Sequence, residues 1–399
     1  PYYTAKIDYL KKVSSQKEFH IEDANLIKRI YTDSLNISAT GIEEFNLCHF
    51  KFFCNSGLKL KVRRKRQIGS LEQGNLIHQC LECVLSSCKN KEEFDKLSRN
   101  QISKIIEKCA DDYFESNMGG VIKRNARLES NLKRIKENIF KIISHLQNEL
   151  KQSEFRPINF EFNINEKGIA NLTGDNGIEI VIRGVIDRVD IYESNGEKYI
   201  RVIDYKTGKK IFSMSSLLYG INLQMLLYMF TITGSGGAYS DCNPAGVLYM
   251  PSGEIVCGRD RDESDNMEEY LNKHYKMNGV VLNDRAVLNA MEKDIQGIYI
   301  PAKLLKGDTG DGELLLNKRS SSCLTSSQFK KLRQHTEKII IDVCNELYSG
   351  NIDADPLVIS GGSPCDYCDY WSVCGNVPCE KYREADKHAE EEMLKIISD

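Results

Sequence analysis

Two stretches decide the reading of this 399-residue chain: Arg183-Gly184-Val185-Ile186-Asp187-Arg188-Val189-Asp190 and Ile203-Asp204-Tyr205-Lys206-Thr207-Gly208, with Asn195-Gly196 between them. Both are rich in β-branched residues, and Asn-Gly between such runs predicts a hairpin closed by a two-residue type I′ turn. If Ser194 pairs with Glu197, positions summing to 391 face each other, so Asp187 is expected opposite Asp204. Directly opposed side chains lie about 5 Å apart, and at an effective dielectric of 20 two carboxylates there repel by about 3 kcal/mol. A divalent cation removes that repulsion. Lys206, two residues beyond Asp204, projects from the same strand face.

Two acids and a lysine around a hard cation suit phosphodiester hydrolysis. The cation acidifies a bound water and neutralises charge building on the phosphate, and the lysine orients the water or takes its proton. The bland alternative is an exposed salt-bridge ladder on a hairpin, since short motifs recur by chance.

The run Gly-Val-Ile-Asp-Arg-Val-Asp followed by Asp-Tyr-Lys-Thr-Gly resembles the active-site motifs of the PD-(D/E)XK nucleases, in the branch that includes the RecB nuclease domain. Upstream, Gly74-Asn75-Leu76-Ile77-His78 resembles the family's helix whose His is a metal ligand. Downstream, Gln224-Met225-Leu226-Leu227-Tyr228 resembles its Q-x-x-x-Y element, and the spacing of four puts Gln224 and Tyr228 on one helix face. The resemblance implies Mg²⁺ or Mn²⁺ held by His78, Asp187 and Asp204, with the Tyr205 carbonyl completing the shell and Lys206 as base or water-orienting group. Burial and the metal's charge would lower the lysine's pKa. Glu161, in Pro157-Ile158-Asn159-Phe160-Glu161-Phe162, is a lesser candidate for the same site.

The chain has 14 cysteines, but no signal peptide, no small secreted domain and no run of 18 apolar residues. Disulfide scaffolding and membrane insertion are therefore poor readings, and a reducing cytoplasm fits better. Cys365-Asp366-Tyr367-Cys368 continues to Cys374, a C-x2-C-x5-C cluster that lacks a fourth thiolate. Spacing alone does not separate zinc from iron-sulfur. The resemblance does: in the AddB chains of AddAB helicase-nucleases, and in the iron-sulfur nucleases of CRISPR adaptation, one upstream Cys joins a C-terminal triplet around a 4Fe-4S cluster. Cys48, in Thr40-Gly41-Ile42-Glu43-Glu44-Phe45-Asn46-Leu47-Cys48-His49, matches the AddB position, with His49 where Pro is usual. Cys54 and Cys379 are the rivals. Cys80, Cys83, Cys88, Cys109, Cys242, Cys257, Cys323 and Cys344 read as buried small hydrophobes.

The expected fold class is α/β, a mixed central sheet flanked by helices. Residues 1–40 read as a connector. Residues 41–399 read as the nuclease domain, with a helix at 41–56, three at 70–88, 92–117 and 121–152, strands at 155–165, 178–193, 199–206 and 245–258, and helices at 214–233 and 325–348. Residues 259–320 read as a charged, Gly-rich insertion, with Tyr299-Ile300-Pro301 entering a hairpin loop over 306–312, and 361–380 as the cysteine loop. No internal repeat is visible. The AddB resemblance runs from about Leu35 onward and includes Gly350-Asn351-Ile352. The CRISPR-type match is weaker, because a long insertion separates Lys206 from Cys365. With Pro1 at the start and no G-x-x-x-x-G-K-[ST] phosphate loop, the chain resembles the nuclease part of an AddB chain. Such a part would cut single-stranded DNA, the 5′-ended strand in that family, delivered by an AddA-like partner.

The overall charge, 54 basic against 57 acidic residues for a net of −3, carries no nucleic-acid signal. Local runs do better: residues 59–66, Lys209-Lys210, and Lys123, Arg124, Arg127, Lys133, Arg134 and Lys136 could contact phosphates, or could be solvated faces. Two rival functional classes remain open on the residues: a nuclease-like fold that binds DNA or a helicase without cutting, and a zinc-stabilised interaction domain.

Overall fold

The computed structural model describes Thr4, Ile7 and residues 19–61, 70–118, 126–164, 172–208, 210–254, 267–305, 314–317, 321–359, 361–374, 381–386 and 388–398. In chain order the elements are α1 (Ala24–Tyr31), β1 (Ser34–Ser38), α2 (Ala39–Leu47), α3 (His49–Phe52), α4 (Ser70–Ser86), α5 (Lys91–Asp95), α6 (Arg99–Met118), α7 (Ala126–Gln152), β2 (Arg156–Asn163), β3 (Leu172–Thr173), β4 (Glu179–Arg183), β5 (Val185–Ser194) and β6 (Glu197–Lys206). They continue with α8 (Met214–Leu217), α9 (Gln224–Thr233), β7 (Asn243–Pro251), α10 (Met267–Tyr275), β8 (Asn278–Leu282), α11 (Arg285–Met291), β9 (Cys323–Leu324), α12 (Ser326–Ser349), β10 (Leu357–Val358), β11 (Arg383–Glu384) and α13 (Ala389–Ile397).

The central sheet has six strands in the order β2-β5-β6-β7-β8-β9. It is mixed, as expected: β6–β7 and β8–β9 are parallel and the other pairs antiparallel. Its inner strands read as near-continuous apolar runs because both faces are covered; Ile200, Val202, Ile203, Val247, Leu248, Val280 and Val281 are fully buried. Pro157 cannot donate to a ladder, which suits β2 to the sheet edge, and the register with β5 shifts between Pro157 and Asn159.

The β5–β6 hairpin has the register that Asn195-Gly196 predicts, from Ser194↔Glu197 to Arg188↔Ile203. Asn195 and Gly196 have φ of 54° and 81°, the left-handed pair that a type I′ turn needs.

Six expectations differ from the structure. The helix expected at 41–56 breaks at Cys48 into α2 and α3, and the helix expected at 92–117 divides into α5 and α6. The segment read as a connector contributes α1 and β1, and β1 pairs in parallel with β4 in a second, three-stranded sheet. Ile27, Leu35 and Ile37 of this segment are buried in the core, whereas Ile7 and Leu26 are exposed. The strand expected at 178–193 is two strands in different sheets, joined at Gly184, where a Cβ would run into the Tyr228 ring. The helix expected at 214–233 breaks into α8 and α9, because Gly220 and Asn222 adopt φ of 69° and 64°, a left-handed conformation that interrupts a right-handed helix. The region read as an insertion also supplies β8 to the central sheet. Its 306–312 loop lies outside the described residues, whereas Tyr299 to Pro301 are inside and Ile300 is buried.

Candidate active site

The hairpin, β2, α4 and α9 bring the predicted residues to one place. Beyond Arg188↔Ile203, the carboxylate of Asp187 accepts the Tyr205 backbone N–H at 2.7 Å. His78, on α4, meets the next peptide along: its Nε2 donates to the Tyr205 carbonyl at 2.7 Å, and its Nδ1 lies 3.3 Å from Asp187 Oδ2 and 4.0 Å from Glu161 Oε1. The Tyr205 carbonyl, expected to complete a metal shell, is thus engaged by His78. Nδ1 is the ring nitrogen that faces the acids.

His78, Glu161 and Asp187 each offer a ligand atom, all within 4.8 Å of one another, and among the described residues no other group of three or more such side chains converges so closely. One imidazole and two carboxylates form a donor set that suits Mg²⁺ or Mn²⁺. Glu161 reaches the site from a strained backbone, with φ of 43° in the middle of β2; non-glycine residues rarely sit there.

Asp204 stands outside that trio and anchors the other half of the site. Lys206 Nζ lies 2.5 Å from Asp204 Oδ2, and Gln224 ties the pair together, donating to Asp204 Oδ1 at 3.2 Å and accepting from Lys206 at 3.3 Å. Tyr228, one turn along α9, is buried against Gly184 and hydrogen-bonded to Gln224. Burial pushes its phenol up to about 12, with the Asp204 charge adding to the effect.

The electrostatics fit a site whose acids a bound cation would stabilise. Burial, then the charge of Asp187, raises Glu161 to about 7. The same two causes lift Asp204 above the usual carboxylate range, against the pull of Lys206. Burial disfavours the His78 imidazolium, but its hydrogen bond to Asp187 and the charges of Asp187, Asp204 and Glu161 outweigh that and raise it to about 9.

These shifts carry a testable sign. His78 rises from 6.5 to about 9 and Glu161 from 4.5 to about 7, so both hold protons more tightly folded than unfolded. The His78 contribution to stability is complete below its unfolded pKa and lost as pH rises through the folded one; between 4.5 and 7 deprotonating buried Glu161 lowers stability further. Metal-free protein should therefore lose melting temperature as pH rises across this window. A divalent cation must displace these protons, so the gain in melting temperature from Mn²⁺ should grow from about pH 6 to about pH 9. Scanning fluorimetry with and without Mn²⁺ tests it, and a pH-independent gain would remove His78 and Glu161 from the cation site.

Sequence reasoning missed a cluster behind the hairpin. Arg188, Asp190 and Arg201 are fully buried and meet Glu149 of α7. The register arithmetic could have found part of it, since 190 and 201 also sum to 391 and Asp190 pairs with Arg201.

The cysteines gather at the joint between α2, α3 and the C-terminal loop. Cys48 ends α2 and N-caps α3. Burial pushes its thiol up to about 12, with the charges of Asp355 and Cys365 adding to the effect and the Lys51 and Phe50 N–H groups opposing it. Burial and the charges of Cys368 and Cys374 raise Cys54 to about 11. Cys48 thus lies near Cys365, while Cys54 lies near the other two members of the triplet. Cys379 and Cys257 lie outside the described residues. The joint has further ties: His49 Nδ1 to Asp355 at 2.7 Å, Arg383 to the Asn46 carbonyl at 2.6 Å, and the Tyr370 hydroxyl to Asn55 and the Leu60 carbonyl.

The basic candidates are dispersed. Lys210 lies over the Tyr249 ring at 5.2 Å and 3.9 Å from Glu43, while Arg134 pairs with Glu254. Lys123, Arg124, Lys209 and residues 62–66 lie outside the described residues, and no helix of the described residues is long and apolar enough to cross a membrane.

This mixed sheet, with His, two Asp and Lys at the end of its hairpin, defines a nuclease architecture. The chain belongs to the PD-(D/E)XK nuclease superfamily, whose family model matches residues 36–375. It is similar to proteins named as one component of an ATP-dependent helicase/deoxyribonuclease, the B chain of that enzyme. It is 29% identical over 382 residues to that of Thermoanaerobacter sp. (strain X514), covering 93% of this chain and 33% of the relative. It is 27% identical over 411 residues to that of Clostridium acetobutylicum, covering 99% and 34%, and 31% identical over 384 residues to that of Clostridium botulinum (strain Langeland), covering 93% and 33%. The chain therefore spans about a third of the length of the curated relatives it matches.

Proposed function

We propose that this chain is the metal-dependent deoxyribonuclease module of an AddB-type helicase-nuclease. It would hydrolyse phosphodiester bonds of single-stranded DNA fed to it by an ATP-driven, AddA-like partner in the cytoplasm during double-strand break repair. The observation that carries the reading is the convergence of His78, Glu161 and Asp187 beside the Asp204–Lys206 pair.

His78 Nδ1, Asp187 and Glu161 would hold Mg²⁺ or Mn²⁺, with Asp204 on the neighbouring strand. The ion supplies an acidified water and charge neutralisation at the phosphate. Lys206 holds the attacking water and takes up or relays its proton. Gln224 fixes the lysine's direction by gripping both Lys206 and Asp204, and Tyr228 seats Gln224. Cys48, Cys365, Cys368 and Cys374 would hold a 4Fe-4S cluster as a structural staple; four thiolates suit it, and the Cys48–Cys365 and Cys368–Cys374 neighbourhoods support the assignment.

The test is cleavage of linear single-stranded DNA with Mg²⁺. Lys206→Ala should lower kcat by about 10²- to 10³-fold, within the range for a positioned proton-transfer group, with little change in DNA affinity. Binding without cleavage by the native chain, even with its helicase partner present, would favour a non-cutting scaffold.

A further inference from the structure

The buried cluster behind the hairpin has one connection to the active site. Arg188 donates to Asp190 through Nε at 2.8 Å and Nη2 at 2.7 Å, and to Glu149 through Nη2 at 3.3 Å. Arg201 donates to Asp190 through Nε at 2.8 Å and to Glu149 through Nη2 at 2.6 Å, and its guanidinium packs over the Phe155 ring at 4.9 Å. Two positive and two negative charges cancel. Burying them is a poor way to gain stability, because desolvation consumes most of the Coulombic attraction and apolar replacements often do as well.

The two arginines differ at Nη1. Arg188 Nη1 donates to the Tyr205 hydroxyl at 3.3 Å, whereas Arg201 Nη1 has no hydrogen-bond partner among the described residues. Tyr205 sits between Asp204 and Lys206, and strand alternation sends its side chain to the face opposite theirs. Its N–H binds Asp187 and its carbonyl binds His78. The two peptides flanking one residue therefore meet the two proposed cation ligands in front, and that residue's phenol is fastened from behind.

We propose that the Arg188–Tyr205 hydrogen bond, braced by Asp190 and Glu149, is a positioning device: it sets the backbone torsion at Tyr205, hence the spacing of His78 from Asp187, and so tunes affinity for the divalent cation. This rests on reading His78 and Asp187 as cation ligands. Outer partners that orient metal ligands typically contribute about 10- to 100-fold in affinity.

The test is Mn²⁺ titration followed by electron paramagnetic resonance, with thermal melts alongside. Tyr205→Phe keeps the ring against His78 and removes only the hydroxyl; it should weaken Mn²⁺ binding about tenfold, with the KM for single-stranded DNA nearly unchanged. Arg188→Lys should match it. Arg201→Lys breaks the same ion cluster without touching Tyr205, so it should lower the melting temperature about as much as Arg188→Lys yet leave Mn²⁺ affinity within about twofold. Native affinity in Tyr205→Phe, or equal weakening in both arginine variants, would overturn the positioning role. Should Arg188→Lys fail to fold, Tyr205→Phe alone decides. Absence of Mn²⁺ binding by the unaltered chain would instead overturn the cation site, and this inference with it.

Discussion

Asp187→Ala is expected to lower the cleavage rate of linear single-stranded DNA by roughly three orders of magnitude, while DNA affinity stays within about threefold of the unaltered chain. Asp187 is nine-tenths buried, and one of its oxygens both faces His78 Nδ1 at 3.3 Å and accepts the Tyr205 N–H at 2.7 Å. Removing it takes away a proposed cation ligand, the acceptor of the Tyr205 N–H and the negative charge that raises His78. DNA affinity is spared because it comes mainly from cations that meet phosphates along the strand, and its salt dependence should be unchanged. Asp187→Asn separates the roles: it still offers the Tyr205 N–H an oxygen but lacks the charge, so it should cleave no better than the alanine variant. Near-native cleavage by Asp187→Asn would show that the residue is structural.

Cys48→Ala should lose the cluster and expose the chain ends to protease, with DNA binding and cleavage falling afterwards through local unfolding. Cys48 and Cys365 lie near opposite ends of the chain, and linking so long a loop removes about 6 kcal/mol of unfolded-state freedom in the covalent limit; a group bound only by folded protein acts in the same direction. The other ties at the joint, His49 to Asp355 and Arg383 to Asn46, should keep the loss local. Cys54→Ala and Cys379→Ala should keep the cluster. Cys54 is the demanding comparison, because its thiol lies near Cys368 and Cys374. Iron content and limited proteolysis on the three variants decide; full iron occupancy in Cys48→Ala, or its loss in Cys54→Ala, would reassign the fourth ligand.

The hairpin was legible residue by residue because a two-residue turn leaves no freedom in register: once Asn195-Gly196 is placed, every pair follows to Arg188↔Ile203. His78 and the Gln224–Tyr228 pair were legible only by resemblance, since nothing in a lone helical His or a four-residue spacing says which strand end it will meet. Glu161 stood in the sequence as a lesser candidate, and the fold places it inside the three-residue group while Asp204 turns to Lys206 and Gln224.

Sequence alone determined the pairing of the hairpin, its turn and the face shared by Asp204 and Lys206, because these are local consequences of backbone geometry with a period of two. Tertiary structure decided which nitrogen of His78 faces the acids, that the Tyr205 carbonyl is already bonded, and that Cys54 lies near the cysteine triplet as Cys48 does. It also decided that Glu149, 39 residues before Arg188 in the chain, closes a buried charge cluster behind the active site. These are contacts between elements far apart in sequence. Their geometry is set by how α4 and α7 pack on the sheet, which no local pattern encodes.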